Sequence, residues 1–117
     1  MVKSNISLKE AADSLYSTSE AGVYILYLHG QIMKVGKAEI GIRKRMQQYY
    51  GLNRYCGLNR YINEHNRDRI RVTYQTCSIF DCDELETKLF DKYSSVSSMP
   101  WASRRPHSTS DNCQLLI

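Results

Sequence analysis

One continuous stretch of the sequence, from Gly22 to Tyr50, constrains the fold more than any other. Six residues that suit a β-strand, Val23 to Leu28, are followed by a short polar segment, His29 to Gln31, and then by a second strand-like run, Ile32 to Gly36. Two β-rich runs separated by a glycine-containing turn of this length predict an antiparallel hairpin. The basic amphipathic segment that comes next, residues 42–50, predicts a helix.

The rest of the chain supplies one more strand and further helices. Residues 69–77 alternate between apolar and polar side chains, which predicts a third strand. Ser7 and Glu10 have the spacing of a capping box, so we expect a helix from there to about Tyr16. A last helix is expected to begin near Asp81, whose neighbours form an acidic first turn, and to end at about Tyr93.

Length and composition favour one soluble domain. The chain has 117 residues, of which 42% are hydrophobic, enough for one hydrophobic core. From about residue 94 a serine-rich tail with two prolines lacks periodicity and should be irregular. Because no run is long and apolar enough for a membrane span or a secretory signal, we expect a cytoplasmic protein without a membrane partner. The four cysteines lack metal-ligand spacing, so free thiols are expected.

Basic residues and tyrosines alternate through the middle of the chain. The net charge is only +4, but ten of the cations fall within one segment. They are Lys34, Lys37, Arg43, Lys44, Arg45, Arg54, Arg60, Arg67, Arg69 and Arg71, with Tyr49, Tyr50, Tyr55 and Tyr61 between them. This pattern suits contacts to phosphates and stacking on bases. The alternative is a solvated helix face above tyrosines of the core.

Two tripeptides in the hairpin resemble the core motifs of the GIY-YIG endonuclease family. Gly22-Val23-Tyr24 stands where the family has Gly-Ile-Tyr, and Lys34-Val35-Gly36 stands where it has Tyr-Ile-Gly. The family's second tyrosine is therefore Lys34 here, as in some of its branches. Beyond the hairpin, Gly36-Lys37-Ala38 resembles the family's turn before a helix with an essential arginine. Arg45 is the best match for that arginine, with Arg43 as the alternative register because the loop is one residue longer than usual.

Helical geometry selects one of two glutamates on the last helix. At about 100° per residue, Glu86 falls within the apolar arc of the helix and Glu84 on the far side. A carboxylate on a buried face needs a partner, which could be a metal ion or an arginine of the core. The residues after Glu86 also resemble those after the family's glutamate, which makes Glu86 the candidate metal ligand.

The resemblance implies a function as well as a fold. It implies an α+β fold with a small three-stranded antiparallel sheet flanked by helices, and a nuclease that cleaves double-stranded DNA with one Mg²⁺ or Mn²⁺ ion. Tyr24 would be the general base, with its pKa lowered by Lys34 and Lys37; Arg45 would clamp the phosphate and Glu86 would hold the metal. The further candidates for contacts to nucleic acid are Lys37, Arg43, Lys44, Tyr49, Arg54 and Arg60, and Asn112 is a candidate late asparagine of the site. The alternative function is a non-catalytic nucleic-acid-binding module with the same fold; no oligomeric state is indicated.

Two further features carry alternatives. The pentapeptide at 51–55, Gly-Leu-Asn-Arg-Tyr, is repeated at 57–61, and the second copy is expected to run into a helix from Leu58 to about Glu64. The duplication either lengthened a loop or provides two contacts to nucleic acid. Trp101 in the tail either anchors the tail on the core or touches nucleic acid.

Overall fold

A computed structural model of the chain describes residues 1–52, 57–58, 60–102 and 105–117. The strands and helices in chain order are β1 (Val2–Ser7), α1 (Leu8–Ala11), β2 (Gly22–Leu28), β3 (Gln31–Ala38), α2 (Ile42–Tyr50), β4 (Ile70–Thr76) and α3 (Cys82–Tyr93). Single 3-10 turns, Arg67–Arg69 and Ile79–Asp81, precede β4 and α3. None of the helices in these described ranges has the length and apolar character that a membrane-spanning segment requires.

The sheet has four antiparallel strands, in the order β1-β4-β2-β3, so the expectation of three strands is wrong. The additional strand, β1, lies at an edge and pairs with β4. Its sequence, Val-Lys-Ser-Asn-Ile-Ser, lacks the alternation that predicts a strand, and the pairing is interrupted between Lys3 and Ile6. Main-chain hydrogen bonds to the open edge of β4 stabilise β1, and such bonds leave little trace in the side-chain pattern.

The β2–β3 hairpin confirms the prediction made from residues 22–36. Its two-residue turn, His29–Gly30, has positive φ at both positions, 53° and 78°, which matches the right-handed twist of the flanking strands. Tyr24 pairs with Gly36 and Leu26 with Lys34, so these four residues lie on one face of the sheet. Met33 is an extra residue in β3, a bulge that leaves its carbonyl available to another segment.

The two faces of the sheet carry separate cores. Against the Tyr24 face pack α1 and α2, through buried side chains that include Leu8, Ile42 and Met46. Against the opposite face, which includes Val23 and Ile25, pack Leu85 and Leu89 of α3 together with Met99 and Ile117 of the tail. Because β3 is an edge strand, side chains from both layers can meet around it.

Two predicted helices are shorter or absent. The capping box of Ser7 and Glu10 is confirmed, with both reciprocal hydrogen bonds present, but α1 ends at Ala11. Leu15 is 81% exposed, so no core contact supports the remaining turn. The described residues between Leu58 and Glu64, residues 58 and 60–64, form turns and irregular chain instead of the expected helix. The Asn63 side chain accepts hydrogen bonds from the N–H groups of His65 and Asn66. Such local bonds compete with helix formation.

Candidate active site

A cleft of about 310 Å³ opens on the Tyr24 face of the sheet, beside the edge strand β3. It brings together most of the residues predicted from the sequence, drawn from β2, β3, α2, α3 and the segment after α2. These residues are Tyr24, Lys34, Lys37, Arg45, Tyr49, Arg60 and Glu86. The remaining lining comes from Gly36, Gly57, Leu58, Tyr61, Trp101 and Ala102.

Gly36 makes room for the buried side chain of Tyr24. The two residues pair across the hairpin, and a Cβ atom built on Gly36 would lie 2.5 Å from the Tyr24 hydroxyl oxygen. Any larger residue at this position would therefore push the phenol ring out of its place. Gly36, the last residue of the second tripeptide, therefore leaves the space that Tyr24, the tyrosine of the first tripeptide, occupies.

Helix α2 supplies two cleft residues one turn apart. Arg45 and Tyr49 are separated by four positions, so they lie on the same face of the helix. The hydroxyl groups of Tyr24 and Tyr49 share a hydrogen bond, and their rings meet edge to face with centroids 6.0 Å apart. The Arg45 guanidinium donates to the Gln48 side chain at 3.2 Å and also lines the cleft.

Glu86 reaches the cleft from α3, which packs on the other face of the sheet. It lines the cleft together with Lys34 and Lys37 of the intervening strand β3. An ion pair between Lys37 and Asp83 joins β3 to the first turn of α3, and Lys37 also contacts Glu39 at 2.9 Å. Glu86 is half-buried where it meets the cleft, and its role as metal ligand stays a prediction.

Glu84 has a structural role that the sequence did not indicate. Its predicted place on the far side of the α3 core arc would leave it in solvent, but the tail covers it and only 5% of it is exposed. Its carboxylate accepts the N–H groups of Asn112 at 3.0 Å and Cys113 at 2.5 Å, and Lys88 lies 3.4 Å away. The N–H of Asn112 is the largest influence that holds the pKa of Glu84 below its ordinary value.

We expect Glu84→Gln to lower the thermal midpoint by a few degrees without altering the cleft. Because the pKa of Glu84 is lowered in the folded state, its stabilisation is present above the ordinary glutamate pKa of about 4.3 and is lost as acid protonates it. Thermal melts of both proteins should therefore differ at neutral pH and converge in acid. Equal midpoints at neutral pH would contradict this role.

Burial is the largest influence on the pKa values of Tyr24, Lys34 and Glu86. It raises the pKa of Tyr24 well above its ordinary value, Tyr49 raises it further, and Arg45 acts in the opposite direction. Burial also lowers the pKa of Lys34, against the effect of Glu86. It raises the pKa of Glu86, against the effects of Lys37 and Lys34. The expectation that the two lysines lower the pKa of Tyr24 is wrong in direction, because desolvation of the phenolate outweighs the nearby positive charge.

The other predicted residues lie elsewhere. Arg43 donates to the Ser17 carbonyl at 2.9 Å and holds the segment before β2. Lys44 is exposed and is not part of the cleft lining. Asn112 is exposed, and its described contact is the N–H bond to Glu84, on the tail side of α3. Arg54 lies outside the described residues.

Two aromatic residues from outside the hairpin and helices, Tyr61 and Trp101, close the cleft. The sequence offered Tyr61 as a residue that could stack on bases and Trp101 as either an anchor of the tail or a contact to nucleic acid, but its pattern did not show that the two residues close one cleft. A neighbouring pocket of about 290 Å³ shares Lys34, Lys37 and Glu86 and is completed by tail residues that include Arg105 and His107. Residues of the tail therefore line both pockets that Glu86 borders.

Comparison with known proteins supports the architecture. No family model and no curated protein sequence matches the chain. Among solved structures it is similar to the GIY-YIG N-terminal endonuclease domain of UvrC from Thermotoga maritima bound to its catalytic magnesium, with 22% identity, a TM-score of 0.57, and coverage of 81% of this chain and 94% of that one. Two point mutants of that domain, also bound to the catalytic divalent cation, both match with a TM-score of 0.58, coverage of 83% of this chain and 96% of theirs. One has a tyrosine replaced by phenylalanine, with 21% identity, and the other an asparagine replaced by alanine, with 23% identity. The resemblance found in the two tripeptides is confirmed at the level of architecture: the chain has the fold of GIY-YIG endonuclease domains.

Proposed function

We propose that this protein is a divalent-metal-dependent endonuclease that hydrolyses phosphodiester bonds of double-stranded DNA. The observation that carries the proposal is the meeting of Tyr24, Arg45 and Glu86 in one cleft. They come from three different elements on two sides of the sheet. A base, a phosphate clamp and a carboxylate are the groups that metal-assisted phosphodiester hydrolysis requires.

The residues of the cleft suit one Mg²⁺ or Mn²⁺ ion. Among the described residues no group of three His, Cys, Asp or Glu side chains could form a closed metal cage. Among the described residues that line the cleft, Glu86 is the one carboxylate, and it is half-buried. Mg²⁺ keeps several of its waters and is commonly held by one or two carboxylates plus substrate phosphates, so this donor set fits. Bound there, the ion would stabilise charge on the leaving oxygen.

Three other side chains of the cleft act on the phosphate and on the attacking water. Arg45 presents two parallel N–H donors to the scissile phosphate and stabilises the charge that develops on it. Tyr24 accepts the proton of the attacking water, and its hydrogen bond to Tyr49 fixes the orientation of the phenol. Lys34, whose charged form is already disfavoured by burial, lies beside Glu86 and Arg45 and contacts the phosphate. Since the pKa of Tyr24 is raised, the phenolate is scarce at neutral pH and cleavage should speed up in alkaline buffer.

Incubation of the purified protein with supercoiled plasmid and Mg²⁺, with and without EDTA, tests the proposal. Nicked or linear plasmid that forms only with free metal is the expected result. The alternative function, a non-catalytic nucleic-acid-binding module, predicts retarded plasmid that stays supercoiled under all conditions. The cleft groups favour the enzyme because simple binding does not call for a half-buried carboxylate, which repels phosphate.

We expect Arg45→Lys to reduce cleavage more than about tenfold, although the charge is kept, because lysine cannot present the bidentate fork. Arg43→Lys is the matched control, because Arg43 lies two positions earlier on the opposite side of the helix and donates to the Ser17 carbonyl; it should retain most of the activity. Single-turnover cleavage rates of the two variants provide the measurement. The reverse ranking would move the clamp to Arg43.

A further inference from the structure

One wall of the cleft consists of stacked aromatic rings. Tyr61 and Trp101 lie 5.9 Å apart between centroids with only 13° between their planes. The Arg60 guanidinium lies over the Tyr61 ring, 4.9 Å from its centroid. All three line the cleft that contains Tyr24, Arg45 and Glu86.

The wall is held in place although it lies outside the strands and helices. The N–H of Trp101 donates at 2.9 Å to the carbonyl of Met33, the bulge residue of β3. The Ser97 hydroxyl donates at 2.6 Å to Ile32 on the same strand. On the other side, the Tyr61 carbonyl accepts from the Asn66 side chain at 2.8 Å. Trp101 is only 7% exposed, so it supports Tyr61, which is the more accessible ring.

The composition of the cleft matches a single nucleotide. Arg45 and Lys34 provide the positive charge for a phosphate, and the other wall provides the Tyr61 ring, backed by Trp101, for a base. A volume of about 310 Å³ is at the lower end of the range for small-molecule sites and suits a single nucleotide better than a base pair. Aromatic rings and guanidinium planes both stack on nucleobases, and the exposed Arg60 can turn from Tyr61 to a neighbouring phosphate.

We propose that the Tyr61–Trp101 wall stacks an unpaired nucleobase next to the scissile phosphate, so that the substrate is duplex DNA with an unpaired nucleotide at the cleavage point. This inference rests on the proposed endonuclease function and specifies its substrate. A fully paired duplex reaches the cleft only after a base leaves the helix, which requires unpairing and unstacking. An already unpaired base avoids that step and binds more tightly.

Trp101 is the only tryptophan of the chain, which makes its fluorescence a direct report on the wall. Two short labelled duplexes, identical except for one unpaired thymidine, are titrated into the protein in EDTA, so that nothing is cleaved. Anisotropy of the label measures binding, and Trp101 emission measures stacking. We expect both duplexes to bind, with quenching of Trp101 emission and higher affinity for the one that carries the unpaired base.

Tyr61→Leu should weaken binding of the duplex with the unpaired base by about tenfold and leave the paired duplex nearly unaffected. The matched control is Tyr16→Leu, at an exposed tyrosine after α1, which should change neither affinity. If neither duplex binds the unsubstituted protein, the stacking wall is overturned, and the plasmid assay with free Mg²⁺ decides the endonuclease proposal separately. If both bind equally and Trp101 emission stays constant, the stacking wall is overturned while the endonuclease proposal stands. The emission measurement uses unsubstituted protein, so it decides the question even if Tyr61→Leu does not fold.

Discussion

Replacing Glu86 by glutamine should reduce cleavage roughly a thousandfold while DNA affinity stays nearly unchanged. Glu86 is the carboxylate of the cleft, and an amide in its place cannot hold a divalent cation as tightly. A metal supplies several kcal/mol of charge stabilisation in the transition state, and each 1.4 kcal/mol corresponds to about tenfold in rate. Affinity should persist because the lysines and Arg45 of the cleft remain.

Single-turnover cleavage over a range of Mg²⁺ concentrations, combined with anisotropy of labelled DNA, measures both quantities. Glu64→Gln is the matched control, because Glu64 is exposed and lies outside the cleft lining, and it should cleave at the rate of the unsubstituted protein. Glu84 would be a poor control since it anchors the tail. Full activity of Glu86→Gln would show that Glu86 does not hold the metal.

Replacing Tyr24 by phenylalanine should cost at least about a hundredfold, the lower end of what general bases contribute. The unsubstituted protein should show a rate that rises with pH into the alkaline range, because burial raises the pKa of Tyr24 and only its deprotonated form accepts a proton. Tyr24→Phe should lose this rising limb and recover at no pH. Tyr27→Phe is the matched control on the same strand, with its ring on the opposite face of the sheet.

The same pH–rate profile tests the role of Lys34. Burial has the largest influence on the pKa of Tyr24, and the positive charge that acts on it is that of Arg45. Lys34→Met should therefore weaken DNA binding and its salt dependence while the rising limb stays in place. A shift of the limb to higher pH would restore Lys34 as a residue that tunes Tyr24. A rising limb retained by Tyr24→Phe would assign the base to another group.

Local sequence determined the hairpin, the helix after it and the position of Glu86. The hairpin follows from alternation and a glycine turn, which act between neighbouring residues. Helix α2 places Arg45 and Tyr49 together because they are four positions apart. Helical periodicity also placed Glu86 on the side of α3 that reaches the cleft. All of these depend on interactions within a few residues along the chain.

Only the tertiary structure decided the fourth strand, the length of α1, the burial of Glu84 and the aromatic wall. Strand β1 forms because it can pair with the edge of β4. Helix α1 ends at Ala11, and Leu15, in the turn that was expected to follow, is exposed. Glu84 acquires its place through bonds from the tail and Trp101 through its bond to β3, in each case with residues 28 or more positions away. The direction of the Tyr24 pKa was also beyond sequence reasoning, since desolvation depends on everything packed around the ring. Contacts between segments distant in sequence leave no periodic signal, so their consequences appear only when the chain has folded.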